Sequence, residues 1–191
     1  MFKKIDASNL NRYINKILRR VSCIFLDCIK YIPFNSVMKI RNFCYRFALK
    51  EMGENCNICD GVTIRNPKNL SLGKRVSIHP YTMIGAMGEI TIGDNVGISS
   101  GCALVAVTHI DSNTDIPIKE QGITKDPIFI DKDVMIGPNV TIVGNTRIGK
   151  GCEIRAGAVV SGEIPSYSIV VGNPGRLAFN RKTRSPAKDR K

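Results

Sequence analysis

The chain of 191 residues contains no tryptophan and only two histidines, so a metal centre built on three imidazoles cannot be assembled from it. Its seven cysteines are an odd number, which argues against an oxidised disulfide scaffold and for a reduced, cytosolic setting. Cys56-Asn-Ile-Cys59 has the spacing of half a zinc site, but no second pair or neighbouring histidine completes it. Long apolar runs are also missing. Val21 to Phe34 contains Asp27 and Lys30 and falls short of the ~20 residues needed to cross a bilayer, and residues 1–20 are too polar for a secretory signal. Acidic residues are scarce at both ends. The net charge of +12 divides into 11 basic against three acidic residues over 1–52, 10 against 12 over 53–175, and seven against one over 176–191. A basic end can meet nucleic acid, anionic lipid or a phosphorylated cofactor. With no helix-turn-helix, zinc finger or aromatic-basic surface motif, nucleic acid is set aside.

What the sequence does have is a period. Ile130, Ile136, Ile142, Ile148, Ile154 and Val160 recur every six residues, and four positions after each stands Val134, Val140, Thr146, Cys152, Ala158 or Ile164. A helix returns to one face after 3.6 residues and a strand after two, so a period of six means a short strand, a turn and a repeat. Upstream the same period runs through Ile58 and Ile64, through Leu72, Ile78, Ile84 and Ile90, and through Ile92, Ile98 and Leu104. Each change of phase reads as a turn lengthened by two residues. Glycine often follows the anchor, as at Gly73, Gly85, Gly93, Gly137 and Gly149, where a corner needs a residue without Cβ. Three hexads make one triangular coil, and stacked coils bury the anchors on the axis at roughly 4.8 Å per layer. The hexads suffice for about five coils. Cys102 and Cys152 fall on the inward fourth position and read as core.

This pattern, with the ending Ile169-Val-Val-Gly-Asn-Pro-Gly-Arg176, resembles the hexapeptide-repeat acyltransferases, and among them the sugar O-acetyltransferases. The resemblance implies an all-β solenoid, a left-handed parallel β-helix, here over 54–178; charge and apolar patterning set a basic amphipathic helical segment over 1–53 ahead of it and a basic tail over 179–191 after it. The resemblance also implies acetyl-CoA as acyl donor, no metal, and a homotrimer with active sites between subunits. The repeat halts between Leu104 and Ile128, and a long insertion in a regular solenoid usually carries function. This inserted loop, 107–127, begins at His109, where the family places its general base. A neutral imidazole takes the proton of an acceptor hydroxyl while that oxygen attacks the thioester. Asp111 and Asp115 either orient His109, receive acceptor hydroxyls, or are turn residues. His79 falls where the family's sugar enzymes carry an acceptor-binding asparagine, so it is an acceptor candidate that departs from the pattern. For coenzyme A the resemblance points to Pro138, Ala156, Ser161 and Gly162 along the arm, with the Gly137 N–H a candidate oxyanion donor. Arg176, Arg181 and Lys182 are candidates for the phosphates, against the alternative of a solvated tail. Met135 stands where the family often has tryptophan.

Ahead of the prism, 8–32 and 36–52 read as two helices, broken at Pro33 and ended by Gly53. Tyr13, Ile17, Val21, Ile24, Cys28 and Ile32 share one face, among Lys and Arg. The helices either cap the open end of the first coil or lie against an anionic membrane at its inner face. The expected activity is acetyl transfer to a sugar hydroxyl of a surface polysaccharide or its precursor. A serine or xenobiotic acetyltransferase and a non-catalytic β-helix scaffold are the alternatives.

Overall fold

The computed structural model describes residues 7–183. Of the basic segment, 1–6 lie outside the described residues, as does the tail from 184 onward.

Three parallel sheets form the faces of a triangular prism. The first face stacks Glu51–Met52, Leu70–Leu72, Ile90–Ile92, Ile128–Ile130, Thr146–Ile148 and Glu163–Ile164. The second runs from Asn57–Ile58 up to Ser168–Val171, and the third from Thr63–Arg65 up to Val159–Val160. There are six levels, one more than the hexads alone suggest, because Glu51–Met52 already pairs with Ser71 and Leu72. The coil therefore starts ahead of the expected boundary at 54. The anchors fill the axis: Ile78, Ile84, Ile90, Ile98, Leu104, Ile130, Ile136, Ile142 and Ile148 are all completely buried. Each residue in the column faces its equivalent one layer away, so one apolar choice repeated every hexad produces a continuous core.

We call the corner between first and second faces the first edge, that between second and third the second, and that leading to the next coil the third. Ser71 pairs with Thr91, but Phe129 pairs with Arg147, two residues sooner. The extra pairs of residues sit on the third edge, at 66–69 and 86–89, and the long insertion leaves from the same edge one layer higher. The expected need for glycine at corners has a more specific cause at Gly73 and Gly93. Neither has a positive φ. Instead their backbones stack directly, and a Cβ on Gly93 would sit 2.8 Å from the Lys132 nitrogen.

At the lower end, α1 (Ala7–Ile29) and α2 (Asn35–Ala48) pack on the first coil through Leu26, Tyr45, Ala48 and Leu49. They also satisfy its open edge. The Asn42 side chain accepts the Ile58 N–H at 2.9 Å, and Lys30 O accepts the Gly61 N–H at 2.6 Å. Arg41 is buried between the helices and the coil, donating to the carbonyls of Ile58, Ile29 and Ile32 at 3.1, 3.3 and 3.3 Å. At the upper end the chain turns at 172–175 and returns as Arg176–Asn180, antiparallel to Ser168–Val171. This last strand covers the sheet edge of the second face, where a tail was expected from 179.

Candidate functional site

The insertion is an ordered hairpin. Thr108–His109 pairs antiparallel with Ile123–Thr124, setting His109 opposite Ile123. Its tip is closed by Gln121, whose amide donates to the carbonyls of Asn113 and Ile116, both at 2.7 Å, and accepts the Asn113 N–H at 3.0 Å. Its root is closed by Asp126, a buried carboxylate whose Oδ2 lies 3.0 Å from the Thr124 hydroxyl. Gly144, in the coil above, lies against Asp126 so closely that any Cβ there would collide with it.

His109 is exposed, and its imidazole has no hydrogen-bond partner among the described residues. Neither Asp111 nor Asp115 orients it within the chain. Both instead line an open cleft of ≈ 510 Å³ along the loop, with Asn113, Ile116 and Ile118. A free imidazole on a paired strand, two residues from a cleft edged by carboxylates, can accept a proton from a bound hydroxyl or amine.

The remaining candidates fall on three different edges of the prism. His79 is exposed on the second edge in the second coil, with Pro138 and Ala156 on that edge in the fourth and fifth. Arg176, opposite Val171 at the end of the second face, belongs to the same side. Ser161 and Gly162 are on the third edge, above the hairpin that carries His109. Arg181 and Lys182 sit at the first edge and are engaged there. The Arg181 guanidinium donates to Gly151 O at 3.0 Å and lies 3.6 Å from Asp133, while Lys182 Nζ lies 3.9 Å from the centre of the Tyr167 ring. The single chain thus separates His79 from His109, and divides the coenzyme candidates likewise.

The backbone donors also divide. The Gly137 N–H, an oxyanion candidate, already donates to Ile154 O at 2.8 Å. Those of Ala156, Ser161 and Gly162 have no acceptor among the described residues and remain available. Met135 is exposed above Gly97, its sulfur where a Cβ on that glycine would be 3.0 Å away. Burial pushes the Cys102 and Cys152 thiols up, and each donates to a carbonyl, Gly137 O at 3.2 Å and Pro165 O at 3.0 Å. They are structural and protonated, not nucleophiles.

Three features escaped sequence reading: the Thr124–Asp126 root, the buried Arg41, and Tyr81. Tyr81 adopts φ +62°, exposed on the second edge two residues after His79, and its ring covers Gly61 one coil below.

Fold and site together define a parallel β-solenoid of hexapeptide repeats with a histidine-bearing hairpin on one edge. The profile of the bacterial transferase hexapeptide family, spanning six repeats, matches residues 127–162. A probable acetyltransferase of Mycobacterium tuberculosis is 38% identical over 133 residues, covering 69% of this chain and 44% of that protein. A 2,3,4,5-tetrahydropyridine-2,6-dicarboxylate N-acetyltransferase of Staphylococcus aureus is 32% identical over 87 residues, 46% of this chain and 31% of its own length. The crystal structure of a galactoside acetyltransferase in complex with coenzyme A superposes with a TM-score of 0.76 at 22% identity, covering 94% of this chain and 86% of that one. The chain belongs to the hexapeptide-repeat acyltransferase family, whose repeats wind as a left-handed parallel β-helix. It spans less than half the length of these curated relatives.

Proposed function

We propose that the chain is an acetyl-CoA-dependent O-acetyltransferase acting on a sugar hydroxyl of a surface polysaccharide or its lipid-linked precursor. The observation that carries this reading is His109, exposed and unpartnered on a paired hairpin whose following residues, Asp111 and Asp115 among them, line an open cleft. The acceptor hydroxyl gives its proton to the His109 imidazole as its oxygen bonds to the thioester carbonyl carbon. The resulting tetrahedral oxyanion collapses by breaking the carbon–sulfur bond, and the thiolate of coenzyme A leaves and recovers the proton. Free backbone N–H groups at Ala156, Ser161 and Gly162 suit the amides of the coenzyme arm or the oxyanion. Asp111 and Asp115 suit acceptor hydroxyls.

The division of His79 and His109, and of the arm candidates, between the second and third edges supports a homotrimer. A second edge bearing His79, Pro138, Ala156 and Arg176, set against the third edge of another copy, unites all of them with His109, Ser161 and Gly162. Membrane proximity is supported by the exposed apolar and basic face of the N-terminal helices, among whose described residues no helix is long and apolar enough to cross a bilayer. Amine acceptors are the competing reading, because the matching S. aureus relative is an N-acetyltransferase. The test is coenzyme A release from acetyl-CoA over a panel of free sugars, lipid-linked glycans, serine and amines. Release with sugars, and an ester product labile to mild base, is expected. Release confined to amines, giving a base-stable amide, refutes O-transfer, and failure to bind coenzyme A leaves the scaffold reading.

A further inference from the structure

Beneath the hairpin, on the same third edge, α1 and the first lengthened corner enclose a groove of ≈ 490 Å³. Its floor is apolar, formed by Cys23, Ile24 and Pro67, and its rim carries Arg19, Arg20 and Lys68. Arg19 bonds only the Phe47 carbonyl, at 3.4 Å, and none of the three cations meets a carboxylate among the described residues. Three uncompensated cations around an apolar floor suit neither a neutral lipid, which offers them no charge, nor a free hydrated anion, which gains nothing from the floor. They suit a phosphate attached to an apolar chain. From this groove an exposed stripe continues down α1 through Val21 and Ile17, which with Ile24 are 59%, 45% and 69% exposed and lie on one helical face.

We infer that this groove seats the phosphate and first apolar units of an anionic membrane lipid, the headgroup between Arg20 and Lys68 and the chain along Ile24. The inference rests on the proposed membrane-proximal acceptor and gives it a location. The 66–69 corner and the root of the hairpin lie on one edge two layers apart, about 10 Å at the spacing of stacked strands. A lipid held there has its headgroup on the edge that carries His109, so a glycan attached to that phosphate extends toward the imidazole.

The test uses the full chain and sedimentation with vesicles, either pure phosphatidylcholine or equal parts phosphatidylcholine and phosphatidylglycerol. Arg20→Glu with Lys68→Glu should weaken binding to the anionic vesicles by at least about tenfold. Lys132→Glu with Lys150→Glu, the same change of charge at the first edge, should stay within about threefold of the parent. Ile24→Gln, which leaves the charge intact, should weaken the binding of monomeric dihexanoyl phosphatidylglycerol, followed by NMR shifts. Inorganic phosphate at the same concentration should produce no saturable shifts. Equal sedimentation of the Arg20/Lys68 variant and the parent overturns the proposal, and so does phosphate binding as well as the short-chain lipid. Sedimentation that depends on Arg20 and Lys68 upholds the groove whether or not coenzyme A release is seen, and absence of release on every acceptor sinks the acyl-transfer reading alone.

Discussion

Arg41 is 1% exposed and donates its hydrogen bonds to carbonyl groups, three of them at the end of α1 and just beyond it. The C-terminal end of a helix carries partial negative charge, so a guanidinium there is held by dipoles where no carboxylate is present. Replacing it with methionine leaves buried carbonyls unpaired, and we expect a loss of about 3 kcal/mol in denaturant melts, with activity per folded molecule unchanged. The cysteines give a second residue-scale prediction. Burial raises the thiols of Cys56, Cys102 and Cys152 above their ordinary value of 9.0, which favours the protonated form in the folded chain. Their contribution to stability is complete below the unfolded pKa and lost as pH rises above about 9, where the unfolded chain releases protons that the native one keeps. Melting temperature should fall over that range. A thiol reagent at neutral pH should modify exposed Cys28 while sparing these three until the chain unfolds. Faster labelling of Cys102 than of Cys28 would contradict the assigned core.

At the scale of elements, the root of the hairpin is held against the prism between Gly88 in the coil below and Gly144 in the coil above, both of which lie against Asp126. Gly144→Ala should push the root outward and displace His109, lowering turnover by roughly 10- to 100-fold while the prism keeps its melting temperature within a few degrees. Unchanged turnover would separate the root from the site. Much of this architecture was legible in the sequence, because repeated local choices set it: Ile98, Leu104, Ile136 and Ile142 each mark a face, and the shifts of phase mark the lengthened corners. The insertion and its histidine were legible as an interruption of that period. The hairpin pairing was not, since Thr108–His109 and Ile123–Thr124 are too short to show alternation, and the bonds from Gln121 that close the tip appear only in the fold. The returning strand Arg176–Asn180 was hidden for a similar reason, its register broken between Ile169 and Val170. The distribution of coenzyme candidates over three edges was also invisible, because positions nearby in sequence, such as Ala156 and Ser161, occupy different corners of one coil.

For the whole molecule, the proposed site is complete only where edges of different copies meet. Light scattering should give three chains per particle. Mixing His109→Ala protein with His79→Ala protein, after dissociation and reassembly, should restore part of the activity lost by each alone, since some interfaces then receive both native side chains. No recovery, or a monomer, would mean that the two histidines do not share a site. Whatever the assembly, the hairpin imidazole is the group that takes the acceptor proton in the proposed transfer. That role is tested most directly by turnover of His109→Ala alongside its affinity for coenzyme A. His109→Ala should lose about 10²- to 10⁴-fold in kcat with coenzyme affinity near that of the parent, and turnover equal to the parent's would remove the imidazole from the chemistry.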